Sequence, residues 1–351
     1  MRLLMIITVC LTLLFSPSGS HAEKYAGEFM ALGGGARAMG MGGAFIAIAN
    51  DATTAFWNPA GLAAFQSFQA RPAAWEAVLM RSETFGDLIN YNYCSVAFPL
   101  KENETAWGIT VIHMGIPDIR VIPLKPGMIK GGDGDDIFEP GPPENESINF
   151  NYRDFPLESA NDVAVLFSYA QRFTPGSVGA NVKIIRNDQV AGVTSLGIGC
   201  DVGFLRRGLW KDLAVGFKLQ DATGTYIGWS TGKREFIYPA LKVGLAYPFS
   251  FKQMSSTLVL AVDGDFRYEN RRAAAQFWAG RASADVHLGA ELFIRDLVAL
   301  RGGLDMGRPT AGMGVVMQNF GPWNMSLGLD YALLIHDVFD TTHRVSLMVA
   351  H

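Results

Sequence analysis

The chain has 351 residues, of which 49% are hydrophobic and 18% are charged, whereas average soluble domains carry roughly 25% charged residues. Lysine and arginine number 29 and aspartate and glutamate 33, and the resulting net charge of −4 does not favour a nucleic-acid-binding protein, which needs a basic patch. The 3 cysteines and 6 histidines have no metal-ligand spacing, and we expect neither a metal nor any other cofactor.

The first 22 residues predict a secretory signal peptide. Arg2 supplies the positive charge, residues 3–15 form an apolar stretch shorter than a membrane-spanning helix, and residues 20–22 (Ser-His-Ala) form a cleavage site. We therefore expect cleavage near Ala22. No later run of about 20 apolar residues exists, so the apolar composition is not that of a helical membrane protein.

Residues 33–64 differ in composition from everything after them, because glycine and alanine dominate. Neither glycine cluster has the spacing of a dinucleotide- or phosphate-binding loop. Small residues instead allow this backbone to pass close to other backbone. Asn50 and Asp51 predict the N-cap of a short helix, and Asn58 with Pro59 predicts the start of another.

From about residue 71 the sequence alternates between apolar and polar residues in successive stretches. In residues 256–267, for example, Leu258, Leu260 and Val262 share one face, and Asp263 and Asp265 share the other. Most stretches are long enough to cross a membrane when tilted, whereas globular strands average about 5–6 residues. The pattern predicts fourteen strands: 73–81, 89–99, 104–114, 160–173, 176–187, 194–205, 210–222, 237–248, 256–267, 281–294, 297–306, 310–319, 322–335 and 341–350.

These strands predict an all-β fold, a transmembrane antiparallel β-barrel of about 14 strands in residues 71–351. A secreted two-sheet sandwich also alternates, but strand length, the signal peptide and a glycine-rich polar face favour the barrel. The apolar face would then meet lipid and the polar face the lumen. The predicted lumen-facing charges are Lys183, Asp201, Lys218, Asp263, Asp265, Glu291, Arg301, Asp305 and Arg344.

The connections between strands are predicted to alternate in length, with long ones on the outer surface. Tight turns are expected at 174–176, 206–208 and 320–322, a long connection at 115–159, and intermediate ones at 223–236 and 268–280. Carboxylates in residues 131–144 suggest calcium binding, but the EF-hand spacing fails, and a solvated loop is the alternative. Nine apolar or aromatic loop residues either line a ligand entrance or anchor at the membrane interface: Ile137, Phe138, Phe150, Tyr152, Phe155, Tyr226, Trp229, Phe277 and Trp278.

The last residues form an alternating strand that ends at His351, with Val345, Leu347 and Val349 on one face. Outer-membrane barrels usually end in such a strand, although with a terminal aromatic residue in place of histidine. We therefore expect the outer membrane of a Gram-negative-type bacterium as the location. Outer-membrane lipid and the barrel-assembly machinery are the corresponding partners.

The N-terminal region resembles that of the FadL/PorV group of outer-membrane proteins, which includes PorV/PorQ-type members. The resemblance is carried by residues 35–44 (GARAMGMGGA), 50–52 (NDA) and 57–62 (WNPAGL). In that group the N-terminal segment sits inside the barrel as a hatch, which implies a hatch or plug in residues 23–70. The hatch or gating residues implied by the resemblance are Arg37, Asn50, Asp51, Trp57, Asn58 and Pro59.

Two functions follow from the resemblance, and the signature does not separate them. FadL-like members imply passive transport of small hydrophobic molecules, such as fatty acids or aromatic hydrocarbons, gated by the hatch. PorV-like members imply a docking or shuttle protein for secreted cargo. An enzyme is not expected, because the chain has no Gly-x-Ser-x-Gly elbow, and we assign no catalytic residue.

Overall fold

The computed structural model describes residues 27–64, 74–84, 88–100, 104–121, 156–320, 325–335 and 341–351. The predicted signal peptide, the cleavage site near Ala22 and the acidic residues 131–144 lie outside this part of the chain. So do five of the nine predicted loop residues, namely Ile137, Phe138, Phe150, Tyr152 and Phe155.

The described residues form seventeen strands, all in one antiparallel sheet. They are β1 (Glu76–Thr84), β2 (Ile89–Leu100), β3 (Thr105–Arg120), β4 (Leu157–Phe173), β5 (Gly176–Asp188), β6 (Thr194–Arg206), β7 (Ala214–Gln220), β8 (Thr225–Trp229), β9 (Arg234–Ile237), β10 (Ala240–Phe251), β11 (Ser256–Tyr268), β12 (Phe277–Ala279), β13 (Ala282–Ile294), β14 (Val298–Asp305), β15 (Arg308–Phe320), β16 (Met325–Leu334) and β17 (Thr342–Ala350).

Fourteen of these strands close into a barrel, as the sequence predicts. β7 pairs with β10 and β11 with β13, while β1 pairs with both β2 and β17 and so closes the ring. The closing register runs from Glu76↔Ala350 to Glu83↔His343. Closure leaves no unpaired backbone edge, which lipid cannot tolerate because it offers no hydrogen-bond partners. The other three strands are short additions: β8 pairs with β6 and β9, and β12 pairs with β13.

The two faces of the wall have opposite chemistry. On β11, Leu260 and Phe266 point outward and are 44% and 47% exposed, whereas Asp263 and Asp265 point inward and are buried. Large exposed apolar side chains recur in this way around the ring. A continuous apolar outer surface is favourable against hydrocarbon rather than water, so this is a transmembrane barrel with a polar interior. None of the helices in the described ranges has the length and apolar character needed to span a membrane.

Several predicted boundaries are corrected by the structure. β1 begins three residues later than predicted, and β7 covers only the centre of 210–222. The connection predicted at 115–159 is shorter, because β3 continues to Arg120 and β4 begins at Leu157. The predicted tight turn at 206–208 is wrong, since the chain runs from Arg207 to Leu213 before β7 begins.

The connections at 223–236 and 268–280 contain secondary structure that the sequence pattern did not indicate. The first holds the β8–β9 hairpin, and the second holds a 3₁₀ turn (Arg272–Ala274) followed by β12. The predicted turn before Gly176 is present. A two-residue turn, Met306 and Gly307, joins β14 to β15, and both residues have positive φ, as a type I′ hairpin requires.

The N-terminal residues 27–64 lie within the ring of strands, because their contacts are with inward-facing residues on strands from β1 to β17. We call them the N-terminal segment. It contains two short α-helices, α1 (Ala36–Gly40) and α2 (Thr54–Trp57), and 3₁₀ turns at Glu28–Leu32 and Pro59–Ala64. Almost every residue of the segment is buried.

Candidate functional site

Strand glycines allow the N-terminal segment to pack directly on the wall. A Cβ added to Gly216 would overlap the Ile46 carbonyl, and one added to Gly303 would overlap the Gly42 backbone. Because no real side chain tolerates such approaches, these two wall positions require glycine. The glycine content of the predicted lumen face thus reflects close backbone packing.

Arg37 is the centre of a buried ion network between the segment and the wall. Its Nε and Nη2 atoms donate to the two oxygens of Glu291 at 2.7 and 2.9 Å. Its Nη1 atom donates to Asn50 Oδ1 at 2.8 Å and to Asp51 Oδ2 at 3.0 Å. Burial alone would lower the pKa of Arg37, but the attraction of Glu291 and Asp51 outweighs it and raises that pKa above its ordinary value.

Arg301 extends this network along the wall. Its guanidinium donates to Glu291 at 3.1 Å and to Asp330 at 2.7 Å. Glu291 therefore accepts from one arginine of the segment and one of the barrel. The contact between Arg37 and Glu291 is bidentate, and such arginine–carboxylate contacts fix position as well as charge.

The other predicted hatch residues contact the wall or hold the segment's own shape. The Trp57 indole N–H donates to the Gly34 carbonyl at 2.8 Å. Asn58 donates to the carbonyls of Ile46 and Phe204 at 2.9 and 3.1 Å, and Pro59 packs against Gly179 of β5. Asn58 and Pro59 also begin a 3₁₀ turn, in line with the prediction.

The predicted N-cap role of Asn50 is wrong. α2 begins after Thr53, and the Asp51 carboxylate accepts from the Thr53 N–H at 2.9 Å. The Asn50 amide oxygen instead accepts from Arg37, because the long-range ion network competes for this side chain.

Three of the predicted lumen charges bond to the segment backbone. Asp263 accepts from the N–H groups of Phe45 and Ile46 at 2.6 and 2.8 Å. Arg344 donates to the Leu32 carbonyl at 2.6 Å, and Lys218 donates to the Phe56 carbonyl at 2.6 Å. Together with Glu291, four of the nine predicted charges therefore bind the segment. The sequence alone did not establish whether the predicted charges converge on it.

Other wall residues that hold the segment were not predicted. All but one occupy inward positions of strands, which apolar–polar alternation could have indicated, and the remaining one lies in a turn. Alternation does not distinguish them from the other inward-facing residues. They are Glu76, Tyr91, Ser95, Ser177, Asn181, Arg207, Thr310 and Ser346.

A cavity of about 900 Å³ lies between the segment and the wall. Its apolar side belongs mainly to the segment and includes Met30, Leu32, Phe56 and Trp57. Its polar side belongs to the wall and includes four predicted charges besides Lys218, namely Lys183, Asp201, Asp265 and Asp305. It reaches the β11–β13 and β14–β15 connections, at the end of the barrel opposite to the start of β1.

The charges around the cavity are arranged in pairs. Lys183 lies 2.8 Å from Asp201 and 2.6 Å from Asp221. The Lys242 ammonium pairs with Asp265, and His287 Nδ1 lies 3.0 Å from Asp305. No group of three or more candidate metal ligands occurs in the described ranges. Of the predicted entrance aromatics, the four that are described do not line the cavity.

No protein-family model and no curated protein sequence matches the chain. Among solved structures it is similar to a FadL homologue of Pseudomonas aeruginosa, with 13% identity over 90% of this chain and 97% of that one (TM-score 0.49). It is also similar to a deltaS2 mutant of the TodX monoaromatic hydrocarbon channel, with 9% identity over 90% and 97% (TM-score 0.45). It is similar as well to the outer membrane protein Omp33 of Acinetobacter baumannii, with 9% identity over 80% of this chain and 99% of that one (TM-score 0.38).

Proposed function

We propose that this chain is an outer-membrane channel for the passive transport of small hydrophobic molecules, with the N-terminal segment as its hatch. The observation that carries the proposal is the cavity of about 900 Å³ whose apolar side is formed mainly by the segment. Ligand sites of roughly 300–1,000 Å³ with apolar linings are typical of drug-sized molecules. A ligand there would rest directly on the element that has to move.

The position of the segment supports the gating part of the proposal. It contacts wall residues around the ring, from Glu76 of β1 to Ser346 of β17. A molecule in the cavity therefore meets buried segment atoms on its way to the opposite end of the barrel. Displacement of the segment opens a path, and its ion and hydrogen bonds return it.

A reversible cross-link tests whether the segment must move. A Cβ atom on Gly108 of β3 would lie 3.5 Å from the Cβ atom of Ala55 in the segment, which is a separation that a disulfide spans, so an Ala55→Cys/Gly108→Cys pair is suited to form one. Cys94 and Cys200 are free in this structure and are first replaced by alanine. We expect the oxidised pair to lose uptake of radiolabelled oleate and toluene in cells, and dithiothreitol to restore it.

The two single cysteine variants serve as controls for damage caused by either substitution. Equal uptake in the oxidised and reduced states would overturn hatch gating. Absence of uptake in every form, together with co-purification of a secreted protein, would favour the PorV-like docking role instead.

A further inference from the structure

Outward-facing aromatic residues lie near one end of the barrel wall. They include Phe98 of β2, Trp107 of β3, Tyr169 of β4 and Phe204 of β6, and we call them the aromatic girdle. In strand register Trp107 lies directly opposite both Phe98 and Tyr169, and its ring centre is 4.9 Å from that of Tyr169. Aromatic residues at such positions mark a boundary of the membrane, so heights along the wall can be measured from them.

The apolar outward face is short on β2 and β3. Along these strands the first outward amide or imidazole groups belong to Asn92 and His113, which follow Phe98 and Trp107 at a spacing of six residues. A tilted strand gains about 2.5 Å of height per residue, so the apolar face is about 15 Å tall there. The apolar band of outer-membrane barrels is about 25 Å tall. These two side chains therefore lie at the depth of acyl chains.

The apolar face becomes taller from strand to strand around the ring. On β4, Asn161 lies eight residues from Tyr169, which corresponds to about 20 Å. On β6, Thr194 lies ten residues from Phe204, which corresponds to about 25 Å. The outward face of β11 has no charged or amide side chain over its whole length. The height thus changes gradually between β3 and β6.

Polar outward side chains occur on six adjacent strands, from β17 through β1 to β5, at the end opposite to the girdle. Several bond to one another along the wall. The His113 ring nitrogens lie 3.2 Å from Asn92 Nδ2 and 3.1 Å from Asn161 Oδ1, and Arg81 donates to Asn90 at 3.0 Å. We call this set the polar belt, and it consists of Arg81, Glu83, Asn90, Asn92, His113, Asn161, Arg186, Asp188 and His343.

The polar belt carries charges of both signs. Arg81 lies 3.6 Å from Glu83 and Arg186 lies 2.7 Å from Asp188, and these four side chains are between 44% and 59% exposed. Charged side chains among acyl chains are unfavourable. Local thinning of a bilayer, by contrast, has only a modest cost for each ångström. Two cations beside two anions match headgroups that contain both a phosphate and an ammonium group.

We propose that the bilayer is locally thinned beside β17–β5, so that zwitterionic phospholipid headgroups contact the polar belt. The far boundary of the hydrocarbon then slopes, from about 15 Å above the girdle at β2 and β3 to about 25 Å at β6. The contact surface of a second protein would end at an edge, whereas the height of the apolar face changes gradually, and this favours lipid. The inference does not depend on what the barrel transports.

The two native cysteines are a matched pair of probes for this slope. Both face outward, and each lies four residues from a girdle residue, Cys94 from Phe98 and Cys200 from Phe204. Their heights above the girdle are therefore equal, at about 10 Å. In the mature chain, Cys200→Ala leaves Cys94 for attachment of a nitroxide, and Cys94→Ala leaves Cys200.

Electron paramagnetic resonance of the two labelled proteins in dioleoylphosphatidylcholine vesicles measures how close each label is to the headgroups. We expect the ratio of nickel-chelate to oxygen accessibility to be about threefold higher at Cys94, because the polar chelate stays near headgroups and oxygen concentrates in hydrocarbon. Equal ratios would overturn the inference. A Cys94 label shielded from both reagents would also overturn it, in favour of a protein partner such as a second copy.

A belt variant tests whether the polar side chains cause the difference. Asn92→Leu/His113→Leu extends the apolar face of β2 and β3, and should lower the ratio at Cys94 about twofold, towards that at Cys200. Lys233→Leu is the control, because it removes an exposed cation outside the belt, between β8 and β9, and should leave the ratio unchanged. An unchanged ratio in a belt variant with the heat-modifiable mobility of a folded barrel would refute the role of the belt. The comparison of Cys94 with Cys200 stands without this variant.

Discussion

Individual charges decide how the N-terminal segment is held. Arg37 is buried and joins Asp51 of the segment to Glu291 of β13, two residues with more than 200 positions between them in sequence. Removing one member of a buried ion network leaves its partners without compensation, and typically costs about 3–5 kcal/mol. An exposed pair on the same protein should matter far less, because water screens it.

Arg37→Leu should therefore lower the free energy of unfolding by about 3 kcal/mol or more. The control is Arg81→Gln, which breaks the exposed pair with Glu83 at 3.6 Å and should cost less than about 1 kcal/mol. Urea unfolding of both variants in detergent micelles, followed by tryptophan fluorescence, measures the difference. Similar losses in the two variants would show that the Arg37 network does not hold the segment.

At the scale of single elements, the strands do two tasks with their two faces. The outward face presents apolar side chains to lipid, and the inward face alternates charges with glycines that admit the segment. Gly216 of β7 illustrates the second task, because its missing side chain is the space that the Ile46 carbonyl occupies. Gly302 of β14, by contrast, has no atoms near the position of a Cβ.

Gly216→Ala should consequently displace the Ile46 region and destabilise the protein by about 1–3 kcal/mol, the usual range for overpacking. Gly302→Ala should be neutral or slightly stabilising, since alanine restricts the unfolded chain more than glycine does. The urea midpoints of the two variants are the measurement. The prediction fails if Gly216→Ala is as stable as Gly302→Ala.

In the whole molecule, the hydrogen bonds that close the barrel do not depend on the N-terminal segment. The ring is closed by strand pairing that does not involve the segment, from β1–β2 around to β1–β17. The inner wall also keeps ion pairs of its own, such as Lys183–Asp201 and Arg301–Asp330. A barrel without its segment should therefore still fold, with a water-filled lumen.

Deletion of residues 28–63 should give a folded but leaky barrel. We expect the deletion variant to keep the heat-modifiable mobility on gels that folded barrels show, and to admit arabinose in liposome-swelling assays where the full chain does not. A deletion variant that never reaches the folded form would show that the segment is part of the folding core. A folded variant without arabinose flux would contradict the role of the segment as the barrier.

Strand content, the number of barrel strands and the two faces of the wall could be read from sequence, because strand periodicity and burial are local properties. The inward position of the nine charges follows from the same alternation. Alternation does not predict the different partners of Asp263 and Asp265. They are two positions apart on one face, yet Asp263 binds the segment backbone and Asp265 pairs with Lys242 beside the cavity.

Only the tertiary structure gave these two aspartates different partners, brought Arg37 to Glu291, and formed the cavity beside α2. Each of these features depends on how far the segment folds back into the lumen and on the register of strands distant in sequence. Alternation records which face a residue is on. Alternation does not indicate which residue lies opposite that face, because the opposite residue belongs to a distant part of the chain.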